Sequence, residues 1–421
     1  MKILILAHDY PPSTRHPGSP RLYNLCKELA RTHELTLCLL AASEERRRAF
    51  TLDNAADRVF VDTVEIAPEG NRPVPLVTRL LRKFWHRLLI TPNFSRRIMA
   101  PEYVARVRDV VTQACRTHGA EVLYVDGVSG FQFVPPDLPI PLAVDLCDCA
   151  SWLVSQSAAR EPALLRRLSL KLVTHSVRAE ERRVLEKAAL ALTISPVDAN
   201  EFRAIYSKAE PLIVQNGVDQ EYFEFQPART ASRTLIFTGV MGYPPNADAA
   251  IFGAREIFPL VRARFPDARL MIVGAQPPAD VQQLGELDSV TVTGWVSDVR
   301  PYMRDSAVFL CPLRVGAGVK NKIFAAMSMG LLVVANSLSL SGIAARNGEE
   351  VLVAETPAEF AERVCALFES PERAIAISDK ARRLVEKKYS WSSQGVVLDG
   401  ALARLALPAA DAAPRRNVSS G

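Results

Sequence analysis

The sequence holds no apolar run approaching the roughly 18 residues needed to cross a membrane. Its hydrophobic start, MKILILAH, lacks the basic region, the length and the small-residue cleavage site of a signal peptide. The expectation is a cytoplasmic protein. The seven cysteines form no CxxC pair, and the nearest two, Cys147 and Cys149, stand two apart beside a strand, a poor metal geometry without further ligands. Reduced, mostly buried thiols and no metal site are expected. No GxGxxG follows a strand at the head of a helix, which argues against a nicotinamide dehydrogenase. Charge of one sign is also scarce overall, with a formal net charge of +5.

That charge is unevenly placed. Between Arg72 and Arg108 stand nine arginines and lysines against a single acid, Glu102. Within it, RLLRKFWHRLL puts Leu80, Leu81, Phe84, Trp85, Leu88 and Leu89 at helical spacing beside Arg79, Arg82, Lys83 and Arg87. Two readings stand for this helix. It can lie on an anionic membrane surface, or it can be a solvated face packed on its own domain.

With 421 residues, 48% of them hydrophobic, the chain can form two ordinary domains with large cores. Short β-branched runs (KILILAH, LTLCLLA, VDTVEIA, EVLYVDG, LAVDLCD, LALTIS) alternate with helical patterns in the first half. TLIFTG, RLMIVG, VTVTG, VFLCPL and LLVVAN repeat the rhythm in the second, with DAAIFGAREIFPLVRARF and AEFAERVCALFES as amphipathic helices. Continuous hydrophobic strands separated by helices predict parallel sheets covered on both faces, here two doubly wound α/β domains. Polar, turn-forming residues at 215–232 mark the boundary. The expected parts are residues 1–214, 215–385, a final helix at 386–407 that crosses back to the first domain, and a disordered tail at 408–421.

Ligands of such sheets sit outside the carboxyl ends of the strands. The loop HDYPPSTRHPGSPR after the first strand and TGVMGYPPN after the first strand of the second half are turn-rich and glycine-bearing, as such a site requires. GVKNKIFAAMSMGLLVVAN, residues 318–336, opens with a glycine turn and two lysines at a helix start near Val319. Free backbone N–H groups, the helix dipole and the lysines make that entrance an anion site suited to phosphate. Ile323, Phe324, Met327 and Leu331 form the predicted buried stripe, while Lys322 and Ala325, three apart, share another face.

With QNGVD (215–219), FTGVMGYPPNADAA (237–250), PDARLMIVG (266–274), VTVTGWVSDVRPYM (290–303) and the lysine-bearing segment, the sequence resembles the group 1 family of GT-B glycosyltransferases. Within it, the chain looks most like the sugar transferases of bacterial exopolysaccharide and PEP-CTERM systems. The resemblance implies two Rossmann-like domains facing a cleft, the first binding acceptor and the second a nucleotide-diphosphate sugar. It also implies a retaining, metal-independent transfer with no cofactor. A glycan or polyprenyl-linked acceptor, at the inner face of a bacterial membrane, and no nucleic acid are the implied partners.

Carried onto this chain, the resemblance gives Lys322 the charge growing on the leaving diphosphate, and places Asp148 and His8 beside it as catalytic candidates. Gly239, Val240, Gly316, Gly318, Val319, Lys320, Asn321, Lys322 and Ala325 line the donor, and Asp9, Arg15, Gly18 and Asp145 the acceptor side. A surface lysine is the bland reading of Lys322, and a helix N-cap that of Asp148. Three departures stand out. The family's paired glutamates fall at Ala317 and Ala325, the second being the usual ribose ligand. Val240 and Met241 replace a common arginine after Gly239. The family's paired glycines in the first loop are reduced to Gly18 and Ser19. A donor-impaired homologue serving an active transferase, or a GT-B nucleotide-sugar epimerase, are the rival expectations.

Overall fold

A computed structural model describes residues 1–11, 21–40, 43–57, 59–60, 62–66, 101–316 and 318–406. Arg15, Gly18, Ala317, the arginine-rich segment up to residue 100 and the tail from 408 therefore lie outside the described residues. The chain divides into two compact units, one of residues 1–214 with 395–421 and one of residues 215–394.

The first unit holds β1 (Lys2–Ala7), β2 (Glu34–Leu39), β3 (Asp62–Glu65), β4 (Val122–Asp126), β5 (Leu142–Asp145), β6 (Leu190–Thr193) and β7 (Leu212–Ile213). They form one sheet in the order β3-β2-β1-β4-β5-β6-β7, every pair parallel. The second unit holds β8 (Thr234–Thr238), β9 (Arg269–Val273), β10 (Val290–Val292), β11 (Val308–Cys311), β12 (Leu332–Ala335) and β13 (Leu352–Val353), again all parallel, in the order β10-β9-β8-β11-β12-β13. Both sheets reverse their winding beside their first strand, between β1 and β4 and between β8 and β11. Such switch points leave a crevice at the carboxyl edge. The two-residue strands β7 and β13 are too short to show an apolar period in the sequence.

Several helices differ from their sequence pattern for local reasons. The pattern over 248–265 predicts one regular helix; the structure has Pro244–Phe252, a π-turn at Gly253–Ile257, and Phe258–Arg264. Pro259 has no N–H, and its ring would strike the Arg255 carbonyl in a regular helix, which the wider turn avoids. The lysine-bearing helix runs Asn321–Ser328, two residues later than Val319. Ile323, Phe324 and Met327 are buried as the spacing predicts, but Ala325, Ala326 and Ser328 are buried with them, so the helix is enclosed rather than striped, and Leu331, also buried, lies past its end. Phe324 stacks on Tyr389 at 4.3 Å between ring centroids. The last helix, Trp391–Ala406, starts in the second unit and belongs to the first from Gly395 onward.

One expectation is overturned in the first unit. Asp145, read from the sequence as facing an acceptor, is 1% exposed. The guanidinium of Arg21 donates to it from Nε at 2.8 Å and Nη2 at 3.1 Å, the Tyr124 hydroxyl at 2.8 Å and the Cys147 N–H at 3.2 Å. Burial alone would raise its pKa, but Arg21, Tyr124 and Cys147 hold it below the ordinary carboxylate range. Arg21 also donates to the Val214 carbonyl at 2.8 Å, so one buried pair links the first helix to β5 and to the end of β7. Removing one member strands the other charge, which typically costs about 3–5 kcal/mol. Asp145→Asn is therefore expected to lower the unfolding free energy from urea titration by that order, and Arg21→Met with Asp145→Leu to lose less than the sum of the single changes. Additive losses in that cycle would show that the two side chains do not support each other.

Candidate functional site

The carboxyl edge of the second sheet is shaped by an unusually close approach of two turns. Gly274, after β9, has φ +152°, and a Cβ there would fall 1.7 Å from the Gly239 carbonyl oxygen. Gly239, after β8, donates its N–H to the Val273 carbonyl at 3.1 Å. A Cβ on Gly239 would lie 2.7 Å from Asn246 Nδ2 and 2.9 Å from Lys322 Nζ. Gly274 admits no side chain, and a side chain at Gly239 would have to push aside the amide and the ammonium that fill the space beside it.

Lys322 reaches this corner from the second residue of the helix Asn321–Ser328. Its Nζ donates to Asn246 Oδ1 at 2.7 Å and stands 4.5 Å from the centroid of the Phe237 ring. Asn246 Nδ2 in turn donates to the Val240 carbonyl at 2.9 Å. A lysine only donates and a carbonyl only accepts, so these partners fix which way the amide points. Burial pulls the Lys322 pKa down to about 8, with neighbouring Lys320 adding to the fall and Cys311 opposing it. No carboxylate pairs with the ammonium among the described residues. A desolvated cation with two further N–H bonds to donate, aimed at a switch-point crevice, is suited to an anion whose charge grows during a reaction. This geometry does not fit a surface lysine.

The rest of the expected donor set is placed around it. Gly316 and Gly318 turn the chain with φ of +130° and +73° ahead of the helix. Lys320 folds back so that its Nζ donates to the Gly318 carbonyl at 2.5 Å, a bond that closes this turn. Val319 packs partly buried on the core and Asn321 is exposed at the helix start. No side chain caps that helix; Lys320 stands at its N-cap position. Ala325, one turn beyond Lys322, is 8% exposed and presents only a methyl group. Val240 is exposed while Met241 is fully buried in the core, so only the first of the two could meet a ligand. Asn246 escaped the sequence reading; its signal was the PPN triplet, whose prolines start a helix and leave Asn246 in its first turn.

In the first unit, β1 is followed by His8, which is exposed, and by Asp9. Asp9 Oδ1 accepts from the Tyr10 N–H at 2.8 Å and the Ser43 N–H at 3.1 Å, which ties it to the turn after β2. Asp148 is half-buried next to the helix Ala150–Arg160, but the N-cap position is Cys149, so the capping reading of Asp148 does not hold. Asp126, at the end of β4 beside the switch point, was missed. Burial and the charge of Asp145 push its pKa up to about 7, against the pull of Arg21. A carboxyl so poised can take or give a proton near neutrality. Its signal in the sequence was the strand-end position in EVLYVDG. Among the described residues no three His, Cys, Asp or Glu side chains cluster as metal ligands, and all seven cysteines are free.

Comparison with known proteins agrees with this geometry. Residues 232–370 match the family model described as "Glycosyl transferases group 1". A phosphatidyl-myo-inositol mannosyltransferase of Mycobacterium tuberculosis is 29% identical over 197 residues, 42% of this chain and 50% of its own. An uncharacterized 44.6 kDa protein in the cps region of Klebsiella pneumoniae is 22% identical over 163 residues, 37% of this chain and 42% of its own. The chain thus spans about half the length, or less, of the curated relatives it matches. Among solved structures, sucrose-phosphate synthase from Thermosynechococcus elongatus superposes with a TM-score of 0.64 at 14% identity, over 96% of this chain and 98% of that one. HepE of Anabaena, in complex with UDP and glucose, gives 0.63 at 14% identity over 96% and 100%. The second unit carries a domain of the glycosyl transferases group 1 family, and the two parallel-sheet, Rossmann-like halves of the chain have the fold of the GT-B glycosyltransferases.

Proposed function

We propose that this chain moves a sugar from a nucleotide-diphosphate donor to a glycan or lipid-linked acceptor in cell-surface polysaccharide synthesis. The observation that carries the reading is the Lys322 ammonium, bonded to Asn246 and enclosed against Gly239 and Phe237. As the bond from sugar to diphosphate breaks, negative charge grows on the leaving phosphate. A cation already stripped of water and fixed in place stabilises that charge more than the ground state. The matched family segment surrounds this lysine, and a mannosyltransferase and a cps-region protein are among the relatives. We read the transfer as retaining and independent of a metal, Lys322 supplying the positive charge, with no cofactor. Asp148 and His8 are the candidate proton-handling groups of the acceptor side, and Asp126 joins them. The protein works in the cytoplasm, peripheral to the inner membrane where a polyprenyl-linked acceptor is presented.

Ala325 favours a second reading. A methyl group stands where the family's glutamate bonds the donor ribose, and Val240 stands where an arginine is common. Each lost hydrogen bond to a charged group is worth about 1.5–3 kcal/mol. A lapsed transferase that keeps only its phosphate corner and serves an active partner has the same lysine geometry. A nucleotide-sugar epimerase on this fold would act on donor alone, without acceptor.

Thermal-shift and calorimetric titration with UDP, GDP, ADP and their sugars tests the reading directly. At least one nucleotide diphosphate is expected to bind; Lys322→Ala should weaken that binding and, in turnover assays, raise the barrier to transfer by about 2.7–4 kcal/mol while the protein stays folded. Binding and turnover that survive this change would remove the lysine from the site. Because the pKa of Lys322 is about 8 in the free protein, its charge is lost as pH rises through that value. Diphosphate affinity should therefore fall between pH 8 and 10, and binding near pH 8.5 should take up protons, seen as a buffer-dependent heat. Ala325→Glu separates the two readings. In an active enzyme with another ribose contact it leaves affinity unchanged or harms it; in a lapsed one it tightens binding by about 1 kcal/mol or more.

A further inference from the structure

The helix Leu164–Lys187 is anchored by its second half and bare along its first. Its buried residues, Val177, Glu180, Glu181, Val184 and Leu185, all lie beyond residue 176. Ahead of them, Leu164, Leu165, Leu168 and Leu172 are 59%, 83%, 49% and 55% exposed. At 100° per residue these four side chains fall within one sector of about a quarter turn, a stripe about 12 Å long. Four leucines on one exposed sector form an apolar patch of the kind that marks an interaction surface.

The charges around the stripe say what covers it. From Pro162 to Ala179 the sequence carries Arg166, Arg167, Lys171 and Arg178 and no acid. Arg166 pairs with Glu161 at 3.2 Å, and Arg178 donates to the Ala204 carbonyl at 3.0 Å, so these two are partly engaged by the protein. Lys171 and Arg167 flank the leucines, and Lys171 and His175 are exposed. A second copy of this face would set cation against cation, and so would the basic stretch between Arg72 and Arg108. A surface of anionic lipid headgroups over an apolar interior fits both features at once, leucines below and cations at the phosphates.

We propose that the first three turns of this helix, led by Leu165 and Leu168 and flanked by Arg167 and Lys171, dock the protein on an anionic bilayer surface. This surface is separate from the donor corner, and its occupation needs neither nucleotide nor transfer activity. The test is co-sedimentation of the full chain with phosphatidylglycerol-containing vesicles and with pure phosphatidylcholine vesicles. Binding is expected only to the former, and to weaken as salt rises. Replacing Leu165, Leu168 and Leu172 by serine together should lower the bound fraction about tenfold without lowering the melting temperature, since exposed leucines contribute little to the fold. Leu168→Trp should show a blue-shifted emission on adding the anionic vesicles. Absence of vesicle binding at low salt would overturn the proposal. So would a serine variant that pellets like the unmodified protein while Arg79→Glu with Arg82→Glu abolishes binding. A dimer that the serine changes dissolve, with no vesicle binding, would assign the face to a second copy instead.

Discussion

Placing an ammonium where water is largely excluded is the constraint around which the second unit is arranged. The cost of that desolvation is visible in the depressed pKa of Lys322, and the surroundings offset only part of it. Phe237 lends the face of its ring, and Asn246 lends one carbonyl that is itself locked by Val240. Gly239 lends room by having no side chain, and Gly274 allows the Gly239 carbonyl to sit where a Cβ would otherwise be. β8, β9, the helix from Pro244 and the helix from Asn321 all contribute to this one corner.

The first unit handles a charge in the opposite way. Arg21 and Asp145 are buried together and neutralise each other, so nothing is left over for a ligand. The neighbouring Asp126 shares the strand-end position but not the partner, and its proton is correspondingly held to near neutrality. Two aspartates at the ends of adjacent strands, in register with each other, thus take different roles because only one is reached by a guanidinium.

That contrast explains how much the sequence disclosed. The longer strands, their parallel pairing and the burial of Ile323, Phe324 and Met327 follow from local apolar period, and these were legible. Lys322 and Gly239 stood out in the sequence as a lysine at a helix start and a glycine in a turn, and the structure brings the two together. Asp145 was misassigned because its partner lies 124 residues away in sequence. Asn246 and Asp126 were passed over because a polar residue in a first helical turn or at a strand end looks ordinary until its neighbours in space are known. The π-turn ahead of Pro259 is of the same kind: the proline was evident, the way the backbone absorbs it was not.

The last helix carries a consequence for how the molecule is made. Its first turn is fixed to the second unit, where Gln394 accepts from the Gln215 N–H at 2.7 Å and Trp391 packs against Gly217. From Gly395 it belongs to the first unit, where Gly395 lies against Glu28 and Asp399 accepts from Thr32 at 2.9 Å. The second unit is therefore an insertion in the first. During synthesis from the N-terminus, residues 215–394 emerge before residues 395–406 can pack against Glu28 and bond Thr32 in the first unit. The unit whose residues are made first is thus completed last.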